Sequence, residues 1–289
     1  MFKRRAYMKF NLDTAEVYIP DNKPVAQALA RTTHLCFAAH QDDIEIMAAQ
    51  PIIECFQQND KWFTGVVVTD GRGSPRDSLY QNYTDDEMRL VRFKEQRKAA
   101  IVGEFAAQIM LDIPSKIIKD SSRNEPVEDI LAILRATKPK VVYTHNFADK
   151  HDTHVGVALR VIQALRKLDQ VERPERVVGC EVWRALDWMV DSDKIMMDLS
   201  THENLQLALL GVFDSQIVGG KRYDLASLGR RRANATYFEA HGVDETTGLS
   251  YGMDMTPLIV DVNLDPAEFI GQFIQRFAMD VRDRMTRIC

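Results

Sequence analysis

Leu35-Cys36-Phe37-Ala38-Ala39 leads out of His34 as an apolar run and breaks abruptly at His40-Gln41-Asp42-Asp43. A short continuous apolar run with a polar end reads as a fully buried strand, here His34 to Ala39. Working outward, Ile44 to Phe56 has the spacing of a helix, and Trp62 to Thr69 (WFTGVVVT) is a β-branched strand. Asp70 to Thr84 contains Gly71, Gly73, Ser74 and Pro75 and reads as a loop.

Thr84 to Gln108 reads as a long helix whose start, Thr84-Asp85-Asp86-Glu87, fits a capping box with an acidic first turn. A short strand follows, at Gln108 to Asp112 or Ser115 to Lys119. Val127 to Thr137 is helical, Lys140 to Thr144 a strand, His154 to Lys167 a helix and Val177 to Arg184 a strand. Strands alternating with helices define an α/β fold, Rossmann-like, with a mostly parallel sheet and helices on both faces. Glu203 to Phe213 reads as helix, Gly219 to Tyr251 has no clear period, and Asp265 to Met285 is an amphipathic closing helix entered through Asp265-Pro266. No linker or repeat divides the chain. The expectation is one domain over 1–289, its last third (about 200–289) capping the sheet and the mouth of the site.

Composition narrows the function classes. The 289 residues carry 37 basic and 42 acidic side chains, net charge −5, with no concentrated basic face, so a nucleic-acid partner is not expected. Arg230-Arg231-Arg232 reads as a solvated turn. Cys36, Cys55, Cys180 and Cys289 form no C-x-x-C pair, which argues against a disulfide framework or a cysteine zinc site. Cys36 and Cys180 lie in apolar runs and read as buried hydrophobes. No apolar stretch approaches the ~20 residues that cross a bilayer, and no h-region follows the basic start, so a cytoplasmic location is expected.

Two segments carry the chemistry. His40-Gln41-Asp42-Asp43 follows the first strand, and Asp149-Lys150-His151-Asp152-Thr153-His154 follows the strand at Lys140 to Thr144. In a 3-2-1-4 strand order these strand ends are neighbours, at the switch point where open α/β sheets bind ligands. Alone, adjacent aspartates after a strand often cap the next helix. Together, four of the seven histidines (His40, His145, His151, His154) fall in or beside the two segments, which favours a site. His40, Asp43 and His154 can supply the N, O, N set of a catalytic zinc, leaving Asp42 and His151 within reach and unassigned, a carboxylate and a histidine of the kinds that take a proton from a metal-bound water and stabilise an oxyanion. A nucleotide site is disfavoured, because this turn has no glycine and two charges that repel phosphate.

His40-Gln41-Asp42-Asp43 resembles the His-Pro-Asp-Asp signature of the PIG-L/LmbE family of zinc N-deacetylases, and Asp149-x-His151-x-x-His154 is similar to its second motif. Arg92-x-x-Glu95 with Ala99 resembles a family helix, and Ser215-Gln216 a pair in the family's last third. The resemblance spans about His34 to Glu239. It implies one Zn2+ per chain, or another divalent metal, on His40, Asp43 and His154. It also implies Asp42 as general base, His151 as the protonated partner of the oxyanion, and Arg92 as a substrate contact. The implied substrate is a small N-acetylated sugar or sugar conjugate, and copies of the chain are expected to be able to assemble.

Gln41 stands where the family has proline, and Asp152-Thr153 replaces Pro-Asp. Thr153 cannot supply the carboxylate that holds the catalytic histidine, so Asp149 or Asp152 is expected to orient His151 instead. Asp70, after the second strand, is a further candidate for a sugar hydroxyl. Arg72 and Arg76 lie in a loop that could cover the site. Trp62, Trp183 and Tyr237 are expected to pack. Alternatives are a zinc amidase of the same build acting on a thiol conjugate or other amide, and a metal-binding protein without catalysis.

Overall fold

The computed structural model describes residues 8–289. Strands are β1 (Glu16–Tyr18), β2 (His34–Ala38), β3 (Phe63–Thr69), β4 (Ala107–Ile113), β5 (Val141–His145), β6 (Arg176–Cys180), β7 (Lys194–Asp198) and β8 (Leu249–Asp254). Helices are α1 (Val25–Ala30), α2 (Asp43–Met47), α3 (Ala49–Cys55), α4 (Asp85–Val102), α5 (Ser115–Ile118), α6 (Glu125–Thr137), α7 (Asp152–Arg166), α8 (Glu203–Gly211), α9 (Asp214–Ile217), α10 (Tyr223–Tyr237), α11 (Pro257–Val260) and α12 (Pro266–Ile288).

The sheet order is β1-β4-β3-β2-β5-β6-β8-β7. β4, β3, β2, β5 and β6 are parallel, so the expected 3-2-1-4 core is present. β1 adds to one edge and β8 and then β7 to the other, each antiparallel to the strand it pairs with. The central strands read as continuous apolar runs because both faces are covered. Their period-two alternation sends Leu35, Phe37, Val66 and Val68 to a cluster with Val157 and Val161 of α7. Cys36, Ala38 and Val67 go to the opposite face with Ile44, Met47 and Phe93.

Several expectations need correction. The helix at Ile44 to Phe56 is two helices, broken at Ala48 (φ −112°, ψ 24°). Pro51 has no N–H to donate to Met47, so the chain restarts a helix with proline inside its first turn. The long helix ends at Val102, Gly103 caps it, and Glu104 (φ 52°) turns the chain into β4. Ser115 begins a short helix and not a strand. The stretch without a period holds α10 and β8. Arg230, Arg231 and Arg232 lie on α10 and form no turn, and Arg231 is buried. Tyr237 is 80% exposed and does not pack. Trp188 packs edge-on against Phe277 of α12. Cys36 and Cys180 are buried, as read. Among the described residues, no helix is long and apolar enough to cross a membrane.

Candidate metal centre and active site

The chain runs β2, β3, β4 to one side and returns to β5 on the other side of β2, so a crevice opens at the carboxyl ends of β2 and β5. Both motif segments meet there. His40 Nδ1 lies 3.2 Å from Asp43 Oδ2 and 3.2 Å from His154 Nε2, and those last two atoms are 3.3 Å apart. Ligand atoms about 2.0–2.1 Å from a tetrahedral zinc stand roughly 3.3–3.4 Å from one another. The triangle therefore fits one face of a zinc tetrahedron with the fourth position left for another ligand.

The surroundings hold this triangle in shape. The His40 N–H donates to Asp43 Oδ2 at 2.7 Å, closing the turn between strand and helix. Asp149 Oδ2 lies 3.5 Å from His154 Nδ1, on the far side of the ring from the triangle. Such a carboxylate behind a histidine orients the ring and raises its basicity. Burial alone would lower the pKa of His154, but Asp43 and Asp149 raise it to about 9. Burial opposes ionisation of Asp43, yet His154 and His40 hold it well below the ordinary carboxylate range.

His145, not assigned a role from sequence, ends β5 and stacks on His154 with ring centroids 3.9 Å apart. It forms a second possible ligand group with Asp43 and His154. Its Nε2 already accepts the Ala39 N–H at 2.9 Å, so that lone pair is engaged. His40 has no such competitor and is the better third ligand. The place of His145 just after the strand read at Lys140 to Thr144, among the four clustered histidines, was the signal the sequence offered for it.

Asp42 has φ 94°, a conformation disfavoured for any residue with a Cβ, and its side chain makes no capping hydrogen bond to α2. The cap alternative therefore does not describe it. Burial pushes its carboxyl up to about 8, against the lowering effect of Arg92. Arg92 is buried, donates to the Gln41 carbonyl and lies 3.4 Å from Asp42 Oδ1. Glu95, one turn on, accepts the N–H and hydroxyl of Ser215, which ties α4 to α9. Gly71 (φ 67°) follows β3 and packs so closely on Gln41 that a Cβ there would meet its Oε1 at 2.2 Å.

His151 precedes α7 and lies near His154 (4.5 Å) and His40 (5.0 Å), measured between ring centroids. Burial, then His154 and His40, hold its pKa below the ordinary value. Its Nδ1 is buried with no partner. This opposes the protonated ring that the resemblance implies, because among the described residues no carboxylate lies within 4.0 Å of its ring nitrogens. Asp149 accepts the backbone N–H of His151 at 2.9 Å and faces the ring of His154, so it does not orient the ring of His151. Asp152 is exposed at the start of α7, where its charge suits the helix dipole, and stands outside the site.

A cavity of about 420 Å³ opens over these groups. Asp70 and Arg92 line it, as do Gln216, Lys221 and Tyr223 from the last third and Trp183 from the loop after β6. Trp183 packs against the core as expected and also forms a pocket wall. Arg72 and Arg76 are paired with Asp86 and Asp85 in the first turn of α4, so their loop is latched to that helix.

An α/β sheet with a histidine–carboxylate cluster at its switch point is an arrangement able to hold a metal ion. Residues 35–165 match the model of the PIG-L family, described as GlcNAc-PI de-N-acetylase. Solved structures share the fold. The N,N'-diacetylchitobiose deacetylase of Pyrococcus horikoshii aligns with TM-score 0.61 and 16% identity, over 81% of this chain and 86% of that one. The conserved protein TT1542 of Thermus thermophilus aligns with TM-score 0.59 and 16% identity, over 80% and 98%. The 4-carboxy-2-hydroxymuconate hydratase of Pseudomonas putida aligns with TM-score 0.58 and 14% identity, over 81% and 99%.

Proposed function

We propose that this chain is a zinc-dependent amide hydrolase that removes an acetyl group from the nitrogen of an N-acetylated sugar or sugar conjugate. The observation that carries the reading is the triangle of His40 Nδ1, Asp43 Oδ2 and His154 Nε2, with edges of 3.2–3.3 Å, beside a buried carboxylate that neither caps a helix nor belongs to the triangle. Likeness to both a deacetylase and a hydratase means that fold alone does not choose the reaction. The PIG-L family domain over both motifs supports amide hydrolysis.

Zinc on His40, Asp43 and His154 would lower the pKa of a water toward neutrality and polarise the amide carbonyl. Asp42 accepts the proton from the attacking water and hands it to the amide nitrogen as the C–N bond breaks, giving acetate and the free amine; a carboxyl whose pKa is raised by burial suits that task near neutral pH. Arg92 holds Asp42 in place. His151 acts as a neutral ring whose N–H donates to the carbonyl oxygen as charge develops there. Asp70 and Arg92 bind sugar hydroxyls at the pocket wall.

The reading is tested by metal analysis of the purified protein together with acetate release from metal-supplemented protein against a panel of N-acetylated sugars. Bound zinc near one per chain and acetate release abolished by Asp42→Ala are expected. A protein that holds no divalent metal at micromolar supply would end it.

A further inference from the structure

The catalytic cavity has a neighbour. A second hollow of about 230 Å³ lies behind Trp183, and Trp183, Lys221 and Tyr223 line both. Its remaining walls include Ile46, Val182 and Ala226, and among the described residues no carboxylate lines it. The catalytic cavity, by contrast, carries Asp42, Asp43 and Asp70. The two hollows differ in polarity and sign of charge while sharing three side chains.

The shared wall is fixed in place. The Trp183 backbone N–H donates to Asp149 Oδ2 at 3.0 Å, the same oxygen that faces His154. Its ring stands edge-on to Tyr223, with centroids 6.0 Å apart. Lys221 Nζ lies 5.2 Å from the Trp183 ring centroid, and no carboxylate lies within 4.0 Å of it among the described residues. The other two cations of the hollow are engaged: Arg222 pairs with Asp224 at 2.8 Å, and Arg230 donates to the Val182 carbonyl. Lys221, at the junction, is the cation left to meet a ligand.

The geometry points to an aglycone subsite: the hollow behind Trp183 seats an apolar, planar group on the leaving side of the substrate, and Lys221 meets a negative charge on that group. This rests on the deacetylase reading and narrows it to N-acetyl sugars that carry an anionic aryl aglycone, in preference to the free sugar. A rigid aromatic wall gives contact area at low entropic cost, and a cation beside an aromatic face selects anionic over neutral ligands.

The test compares methyl, phenyl, 4-carboxyphenyl and 4-phosphophenyl glycosides of N-acetylglucosamine with metal-loaded protein. Burying the ring is expected to raise kcat/KM about tenfold from methyl to phenyl. A carboxylate or phosphate is expected to add about threefold, the size of a solvent-screened ion pair. Whichever anion gains more identifies the source of the charge. Ala226→Phe, which fills the hollow, should bring the phenyl-to-methyl ratio close to one, and Lys221→Glu should reverse the preference for the anion.

Equal kcat/KM across all four glycosides, unchanged by either substitution, overturns the subsite and leaves the deacetylase reading standing. Release of acetate from none of them counts against that reading instead. Calorimetric binding of the 4-carboxyphenyl glycoside to metal-free protein then decides the subsite separately: saturable binding weakened by Lys221→Glu supports it, and no binding overturns it. Should Ala226→Phe not fold, Lys221→Glu, at an exposed position, still decides.

Discussion

Glu95 accepts both the backbone N–H of Ser215, at 2.8 Å, and its hydroxyl, at 2.6 Å. Two motifs that are weak in isolation are thus the two halves of one buried contact. Gln216 extends it by donating to the Ser215 hydroxyl at 3.0 Å, and Gln216 lines the pocket. The contact fixes the last third of the chain to the helix that carries Arg92. Glu95→Ala removes two hydrogen bonds to a buried carboxylate and is expected to cost about 2–4 kcal/mol. A double-mutant cycle with Ser215→Ala, read by denaturant unfolding, should give a coupling of about 1–3 kcal/mol. Additive losses would mean the two residues act independently.

Asp149 faces His154 and anchors the backbone N–H groups of His151 and Trp183, so it joins the candidate metal centre to the pocket wall. Asp149→Asn keeps the shape and weakens the orienting charge. Zinc affinity, measured by competition with a chromophoric chelator, is expected to fall about 10–100-fold. Native affinity in the variant would show that His154 needs no carboxylate behind it.

Asp42 combines a disfavoured backbone conformation with a buried carboxyl, two features that cost stability and are kept where function requires them. Asparagine tolerates positive φ better and carries no charge to bury. Asp42→Asn should therefore melt no lower than wild type and bind metal normally, while turnover falls about 10²–10⁴-fold. A clear drop in melting temperature would recast Asp42 as a structural residue.

The parts of the fold that could be read early are those where local and global preference agree. Leu35 to Ala39 and Val66 to Thr69 are apolar or β-branched because they are covered on both faces, and His40, Asp42 and Asp43 stand out because nothing in a buried strand explains them. Where the two disagree, reading failed. Ala106 and Ala107 favour helix but pair into or beside β4, so the preceding helix was drawn too long. β7 and β8 are short, and pairing between residues some fifty positions apart is invisible to a local window. α10 hides behind Gly229 and three arginines, and its pocket residues, with Lys221, come from a segment without a period, while Trp183 was read inside a strand that in fact ends at Cys180.

Burial also predicts thiol chemistry. Cys36, Cys55 and Cys180 are buried and Cys289 is exposed. Burial raises the thiols of Cys36 and Cys180 well above their ordinary range and pushes Cys55 up to about 12. Only a thiolate reacts with a disulfide reagent. Titration at pH 8 should therefore modify one thiol per native chain quickly, and four after denaturation. Rapid modification of two or more in native protein would contradict the packing of the sheet faces.

Arg231 is the sharpest departure from the solvated turn read at that triplet. It is buried, and its guanidinium donates to the carbonyls of Glu45 (2.9 Å) and Ile46 (3.2 Å) and to Gln206 Oε1 (3.1 Å). The two carbonyls belong to the last turn of α2, whose other end carries Asp43. A cation there satisfies carbonyls that the short helix leaves unpaired and lies at the favourable end of its dipole. Arg231→Met leaves those carbonyls buried without a donor, and the expected loss is about 2–4 kcal/mol. Lysine cannot reproduce the planar fork that spans α2 and Gln206, so Arg231→Lys should recover less than half of that loss. Because α2 positions Asp43, the methionine variant should also bind zinc more weakly under conditions where it is still folded. Unfolding curves and zinc titrations of both variants check this, and a methionine variant as stable as wild type would mean that α2 needs no cation at its carboxyl end.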